Sequence, residues 1–349
     1  MIVQPAQMLG YGTYTLLALA IGFYYLRRKM AKPGGPVFKI GYYLYAKTKI
    51  GQLVYRRELS KARRKYQNEG HSTCQAHVFN GLKILPIAMS LDNYGYLVCD
   101  QHTGTAVLID PADTERVQAV LDQENVVPYA ILSTHKHWDH SGGNLELQRR
   151  YPDVRIYGSA QDNIPGCTDT VMEGDVLTFG QLLFTIYSTP GHTVGHLIYH
   201  LDCTTFGAPP SVFSGDHLFI GGVGRMFEGS PSVMLKSLDN ICQLPDQTLV
   251  WPGHEYTTDN LEFISALDPD NESAQNKLKW AQEQRKDKLC TCPSTIGEEK
   301  SYNPFLRTDN QAIQQAVGLD KERDLDRDTL RAKVLGEVRS RKDKFKYKL

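Results

Sequence analysis

Residues 134–140, Thr-His-Lys-His-Trp-Asp-His, place four metal-ligand side chains in one short loop: His135, His137, Asp139 and His140. Neutral imidazole and carboxylate bind zinc, iron or manganese and leave positions open for water. An apolar run at 129–132 leads in and reads as a buried strand. Gly142 and Gly143 then break the chain before a helix-like segment at 144–150. The ligands are therefore expected on a turn at a strand end. In extended chain His135 and His137 point the same way, because side chains alternate with period two. Asp139 and His140 come after the bend and aim at a neighbouring site.

Three later turns each add a ligand after a glycine at the end of an apolar run. His192 follows Thr189-Pro190-Gly191, Asp216 follows Phe213-Ser214-Gly215, and His254 follows Trp251-Pro252-Gly253. Strand, glycine, ligand is the arrangement needed when ligands converge on one rim of a sheet sandwich. Alone, each histidine is more often structural. Together with the first loop they make a set of seven ligands.

The motif series T-H-x-H-x-D-H, P-G-H-T, G-D and G-H resembles the metallo-β-lactamase superfamily, and within it the glyoxalase II group, the hydroxyacylglutathione hydrolases. The matching segments are 134–144, 191–196, 215–219, 253–256 and a late segment, 293–307, that in this group lies in an added helical domain. The resemblance runs from about residue 80 to the end of the chain. It implies an α/β fold, the αββα sandwich of that superfamily, with a C-terminal helical domain. It also implies a binuclear centre: His135, His137 and His192 on one ion, Asp139, His140 and His254 on the other, and Asp216 bridging. Asp139 and Asp216 would be the catalytic carboxylates. Two divalent ions are expected, zinc first, with iron and manganese also suited. Such a pair activates water and stabilises an oxyanion, so no Ser or Cys nucleophile is needed.

The implied reaction is hydrolysis of S-D-lactoylglutathione to D-lactate and glutathione. The family's G-K-F-Y-E-G segment stands here as Gly224-Arg225-Met226-Phe227-Glu228-Gly229. Arg225 keeps the charge but not the shape of lysine, and Phe227 lacks the hydroxyl that contacts glutathione. Activity is therefore expected to be weak or shifted. Tyr256 is retained, and Arg339 and Lys342 in the final helix can hold the glycine carboxylate of glutathione. His217 stands where the family often has Thr. Competing readings are a scaffolding or regulatory metalloprotein at a membrane, β-lactam hydrolysis and sulfur dioxygenation; the 293–307 segment disfavours the last two.

The elements that must position these turns are mostly short strands: 82–89, 94–100, 105–110, 129–132, 175–187, 196–201, 211–213 and 248–251. Helices are expected at 113–122 and 230–243. Two face-to-face sheets with outer helices follow. After Thr257 strands are expected to stop, with helices at 257–267, 272–288 and 328–346.

The seven cysteines include no C-x-x-C pair, which excludes a zinc ribbon or thioredoxin-type site and reads as reduced thiols. The zero net charge hides a split: residues 27–65 carry +12 and the remainder −12. Residues 8–26 are uncharged, and 19 residues of helix span about 28 Å, enough for a bilayer core. An uncleaved, single-pass anchor is expected, with everything after it on the cytosolic or matrix side. The membrane itself, mitochondrial or other, is left open. Basic and aromatic residues interleave over 37–66 and suit an anionic lipid surface; no nucleic-acid motif accompanies them. The expected domains are an anchor at 1–30, a basic juxtamembrane segment at 31–70, the metal-binding domain at 71–256 and the helical domain at 257–349.

Overall fold

The structure, a computed structural model, describes residues 36–322 and 324–345. The expected anchor at 8–26 lies outside the described residues. Among those described, no helix is long and apolar enough to cross a membrane. The chain divides into two units, Met1–Val54 and Tyr55–Leu349. In the first, the described part is a helix, Pro36–Lys47, and the start of a second, Lys49–Tyr66; Ile40, Tyr43 and Leu53 are exposed there.

In the second unit the strands alternate their buried faces as period two requires. A seven-stranded sheet runs in order β1 (His77–Phe79), β2 (Leu82–Met89), β3 (Asn93–Asp100), β4 (Thr105–Ile109), β5 (Pro128–Leu132), β6 (Arg155–Gly158) and β7 (Asp169–Thr170). The second sheet is built from β8 (Val176–Phe179), β9 (Leu182–Ser188), β10 (Leu197–Asp202) and β11 (Ser211–Gly215). A small hairpin of β12 (Leu218–Phe219) and β13 (Gly222–Val223) follows, and then β14 (Leu249–Pro252) and β15 (Ser294–Thr295) complete that sheet.

Val107, Ile109, Leu132, Leu197, Tyr199, Leu201, Phe213 and Trp251 fill the space between the sheets. Their neighbours one residue away face outward. Leu108 and Ile131 pack under helices Thr114–Glu124 and Asn144–Arg150, and Ile198 and Val250 pack under Pro231–Ile241 and Arg327–Phe345. The result is the four-layer helix–sheet–sheet–helix arrangement, with a helical C-terminal region.

Three expectations change. The segment 175–187 is a hairpin of two strands, because Gly180 takes φ +60° and turns the chain. Strands do not stop at Thr257: Ser294–Thr295 pairs antiparallel onto β14, so the helical region lends the second sheet an edge. The basic juxtamembrane segment expected at 31–70 is in part built into the metal-binding domain. From Tyr55 on, its helix packs Tyr55 and Leu59 against the outer face of the first sheet, buries Ala62, and pairs Arg63 with Asp113 at 2.6 Å.

Candidate metal centre

Parallel strand pairs bring the ligand turns together. In β4 and β5 the register sets Ile109 beside Leu132, so Asp110 lies next to the turn that follows β5. In β11 and β14 it sets Gly215 beside Pro252, and the Gly253 amide donates to the Gly215 carbonyl at 2.8 Å. Asp216 and His254 thereby leave adjacent strand ends. Gly215 has φ +47°, and a Cβ there would lie 2.5 Å from Thr134 Oγ1, so only glycine fits this crossing. Residues 134–136 are bent rather than extended, and Trp138–Ser141 forms a single helical turn. His135 and His137 still face one another, so the expected convergence survives a different backbone.

All seven predicted ligands meet. His135, His137, His192 and Asp216 form one group, and Asp139, His140 and His254 a second. His137 Nδ1 lies 3.0 Å from both His135 Nε2 and His192 Nε2. Asp216 Oδ2 lies 3.3 Å from His192 Nε2, while its Oδ1 lies 3.2 Å from His140 Nε2 and 3.3 Å from His254 Nε2. Asp216 thus turns one oxygen toward each group. Ligands about 2.05 Å from a tetrahedral ion lie roughly 3.3 Å apart, the spacing seen here.

The donor chemistry fits a cation. His192 Nδ1–H donates to the Arg225 carbonyl at 2.8 Å, His140 Nδ1–H to Asp110 at 2.9 Å and His254 Nδ1–H to Asp92 at 2.9 Å. His135 Nδ1 lies 3.0 Å from Thr134 Oγ1, whose own proton goes to Asp110 at 2.7 Å. Each Nε2 is therefore left with a lone pair aimed at other lone pairs, which a positive ion reconciles. Asp216 Oδ1 is buried and receives no hydrogen bond among the described residues, despite those short approaches.

The two groups differ electrostatically. Burial holds the His135 and His137 imidazoles well below their usual range, which keeps them neutral. At His140 and His254 burial works the same way but is outweighed by Asp216 and by Asp110 or Asp92, which raise both; His254 reaches about 10. The second group therefore sits in strongly negative potential. The Asp216 carboxyl is held well below the carboxylate range: burial raises it, and His254, His140 and His192 outweigh that.

Several supporting residues were given no role by the motifs. Asp110 is bound at once by the Thr134 amide, the Thr134 hydroxyl and His140. His196 Nε2 accepts the Asp216 amide proton at 3.1 Å, and its Nδ1–H donates to Thr189. Asp162 takes hydrogen bonds from the Lys136, Thr193 and Gly195 backbone or hydroxyl groups. Buried His217 has neither ring nitrogen paired among the described residues, and nothing in the structure explains it.

Lys136, from within the metal loop, reaches Glu228 at 2.7 Å and Asp162 at 3.3 Å while almost fully buried. Lys136→Met removes the buried cation that both carboxylates share and is expected to destabilise the fold by ~3–5 kcal/mol. The urea midpoint measures this, and a shift worth under ~1 kcal/mol would contradict the clamp.

The predicted substrate contacts fall in three places. Phe227 stands beside the first group, its ring 5.2 Å from His192 and 5.8 Å from His137. Tyr256 stacks on His254 at 4.7 Å beside the second. Arg225 and Arg339 both bind Asp343, at 3.2 and 3.0 Å. Lys342 donates to the Asp259 carbonyl at 2.5 Å, over the Phe263 ring.

With this geometry in place, comparison decides the family. Residues 92–254 match the Metallo-beta-lactamase superfamily, and residues 255–345 match the Hydroxyacylglutathione hydrolase C-terminus. The cytoplasmic hydroxyacylglutathione hydrolase of Arabidopsis thaliana is 42% identical over 267 residues, 76% of this chain and 100% of the relative. That of Thermosynechococcus vestitus is 45% identical over 229 residues, 65% of this chain and 89% of the relative. The chain belongs to the hydroxyacylglutathione hydrolase group. It is an enzyme of the metal-dependent hydrolase type, and the two sheets and helical region described above are this group's sandwich and C-terminal domain.

Proposed function

We propose that this hydroxyacylglutathione hydrolase relative cleaves glutathione thioesters with two divalent ions, zinc first, and that S-D-lactoylglutathione is a poor substrate for it. The supporting observation is Asp216, which offers one oxygen to each ligand group. Bound there, two such ions would activate water and polarise the thioester carbonyl. The chain's own residues do the rest. Asp110, Asp92 and the Arg225 carbonyl fix the ring orientations. Phe227 and Tyr256 flank the two groups, and Arg225, Arg339 and Lys342 supply positive charge for a glutathione carboxylate.

Phe227 has no hydroxyl to offer the peptide. Losing one hydrogen bond of ~1–1.5 kcal/mol weakens binding roughly five- to tenfold. Phe227→Tyr combined with Arg225→Lys should lower KM for lactoylglutathione by about that factor with kcat little changed. Matched kinetics at equal metal loading decide it. An unchanged KM would point to a different acyl thioester.

Residues 8–26 and the basic segment beyond them support a second part of the proposal, attachment to a membrane with the catalytic unit on the cytosolic or matrix side, in mitochondria or elsewhere. Lipid is then a partner and nucleic acid is not. Removing residues 1–30 should release most of the protein and leave only a salt-sensitive association. Fractionation unchanged by the truncation, and resistant to salt, would contradict attachment by this segment.

A further inference from the structure

Far along the chain from the metal loop, three cysteines gather where helix Glu272–Lys286 hands over to β15. Cys290 Sγ lies 3.1 Å from Cys292 Sγ, about 1 Å beyond the length of a disulfide bond. Cys74 comes in from the other side: Thr73 pairs with Leu289, and the Cys290 amide donates to the Thr73 carbonyl at 3.3 Å, while the Cys74 thiol itself donates to the Ser72 carbonyl at 3.8 Å. No disulfide joins any of the seven cysteines. Cys74 and Cys290 are partly exposed and Cys292 is buried, so a small oxidant needs to reach only Cys290.

The other cysteines differ in kind. Burial pushes the thiols of Cys99 and Cys242 up to about 11 and that of Cys203 to about 12. Cys290 goes the other way. The Cys292 thiol, 3.1 Å away, holds it well below the ordinary thiol range, at the expense of Cys292 itself. Cys290 is the partly exposed sulfur that an oxidant meets, and Cys292, buried 3.1 Å behind it, lies ready to resolve it.

We propose that Cys290 and Cys292 are a peroxide-responsive thiol pair that closes to a disulfide. The Cys290 sulfur attacks the outer oxygen of a hydroperoxide, the O–O bond breaks, and alcohol or water leaves, giving the sulfenic acid. The Cys292 sulfur then attacks Cys290, the S–O bond breaks, and water leaves. Two thiols lose two electrons and two protons, and the hydroperoxide is reduced by two electrons. Thr291, between the sulfurs, holds Glu255 through its amide at 3.1 Å and its hydroxyl at 2.7 Å. The pair therefore sits one hydrogen bond from the turn that carries His254.

The test uses the full chain, reduced and freed of reductant, titrated with hydrogen peroxide, alkylated, digested and weighed. The peptide holding Cys290 and Cys292 should lose about 2 Da and refuse alkylation, at peroxide levels at least roughly tenfold below those that consume Cys99, Cys203 and Cys242. Dithiothreitol should reverse it. In Cys292→Ser, Cys290 should be trapped as its sulfenic acid by dimedone or bridge to Cys74, either of which keeps the reactive sulfur at Cys290. Oxidation spread evenly over all cysteines would overturn the proposal. So would unchanged oxidation of Cys292 or Cys74 in Cys290→Ser.

Discussion

Asp216→Ala should lose both metal ions and, with them, turnover. The carboxylate faces His192 through Oδ2 and His140 and His254 through Oδ1, so one side chain offers a ligand atom to both groups. Its removal leaves three histidines in the first group, and Asp139, His140 and His254 in the second. Two positive ions drawn that close repel unless an anion lies between them. Ion-assisted catalysis is worth several kcal/mol of transition-state stabilisation, so kcat/KM should fall on the order of a thousandfold or more. Elemental analysis and thioester hydrolysis on one sample measure both effects. A variant that keeps two ions and full activity would remove Asp216 from the bridging role.

The second large effect is at Asp110, which no motif marks. Its carboxylate takes the His140 Nδ1 proton directly and, through the Thr134 hydroxyl, fixes His135. One buried side chain therefore orients a ligand in each group. Asp110→Asn keeps the shape but loses the charge, and its NH2 would face a donor on at least one side. Outer-shell partners of metal-bound histidine are typically worth 10- to 100-fold in affinity or activity. Both ions should bind about that much more weakly, which competition with a calibrated chelator resolves ion by ion. Weakening confined to the His140 group would show that the Thr134 relay contributes nothing.

The centre was legible because ligand chemistry is local. His135, His137, Asp139 and His140 declare themselves by spacing, and Gly191, Gly215 and Gly253 mark the later turns. Asp110, His196 and Asp162 were not legible. Their roles depend on which strand ends lie side by side, and pairings such as β4 with β5 and β5 with β6 leave no mark in the residues themselves. Lys136 was not legible for a different reason: nothing in its place beside the metal ligands marks it as buried between Asp162 and Glu228. In the fold, the longer strands and the helices Asn144–Arg150 and Thr257–Leu267 followed from apolar runs, glycine breaks and composition, whereas two-residue Ser294–Thr295 is too short to leave such a sign. The buried side of helix Lys49–Tyr66 was masked because Tyr55 and Ala62 stand among Arg56, Arg57, Lys61 and Arg63.

The central claim is that seven side chains hold two ions that together hydrolyse a glutathione thioester. The most direct measurement is metal content and hydrolysis of S-D-lactoylglutathione on the same preparation, as zinc is added stepwise to chelator-stripped protein. Two ions per chain should bind, one for each ligand group, and hydrolysis should rise with occupancy of the second. Binding that saturates at one ion, or two bound ions with no hydrolysis of any glutathione thioester supplied, would contradict it.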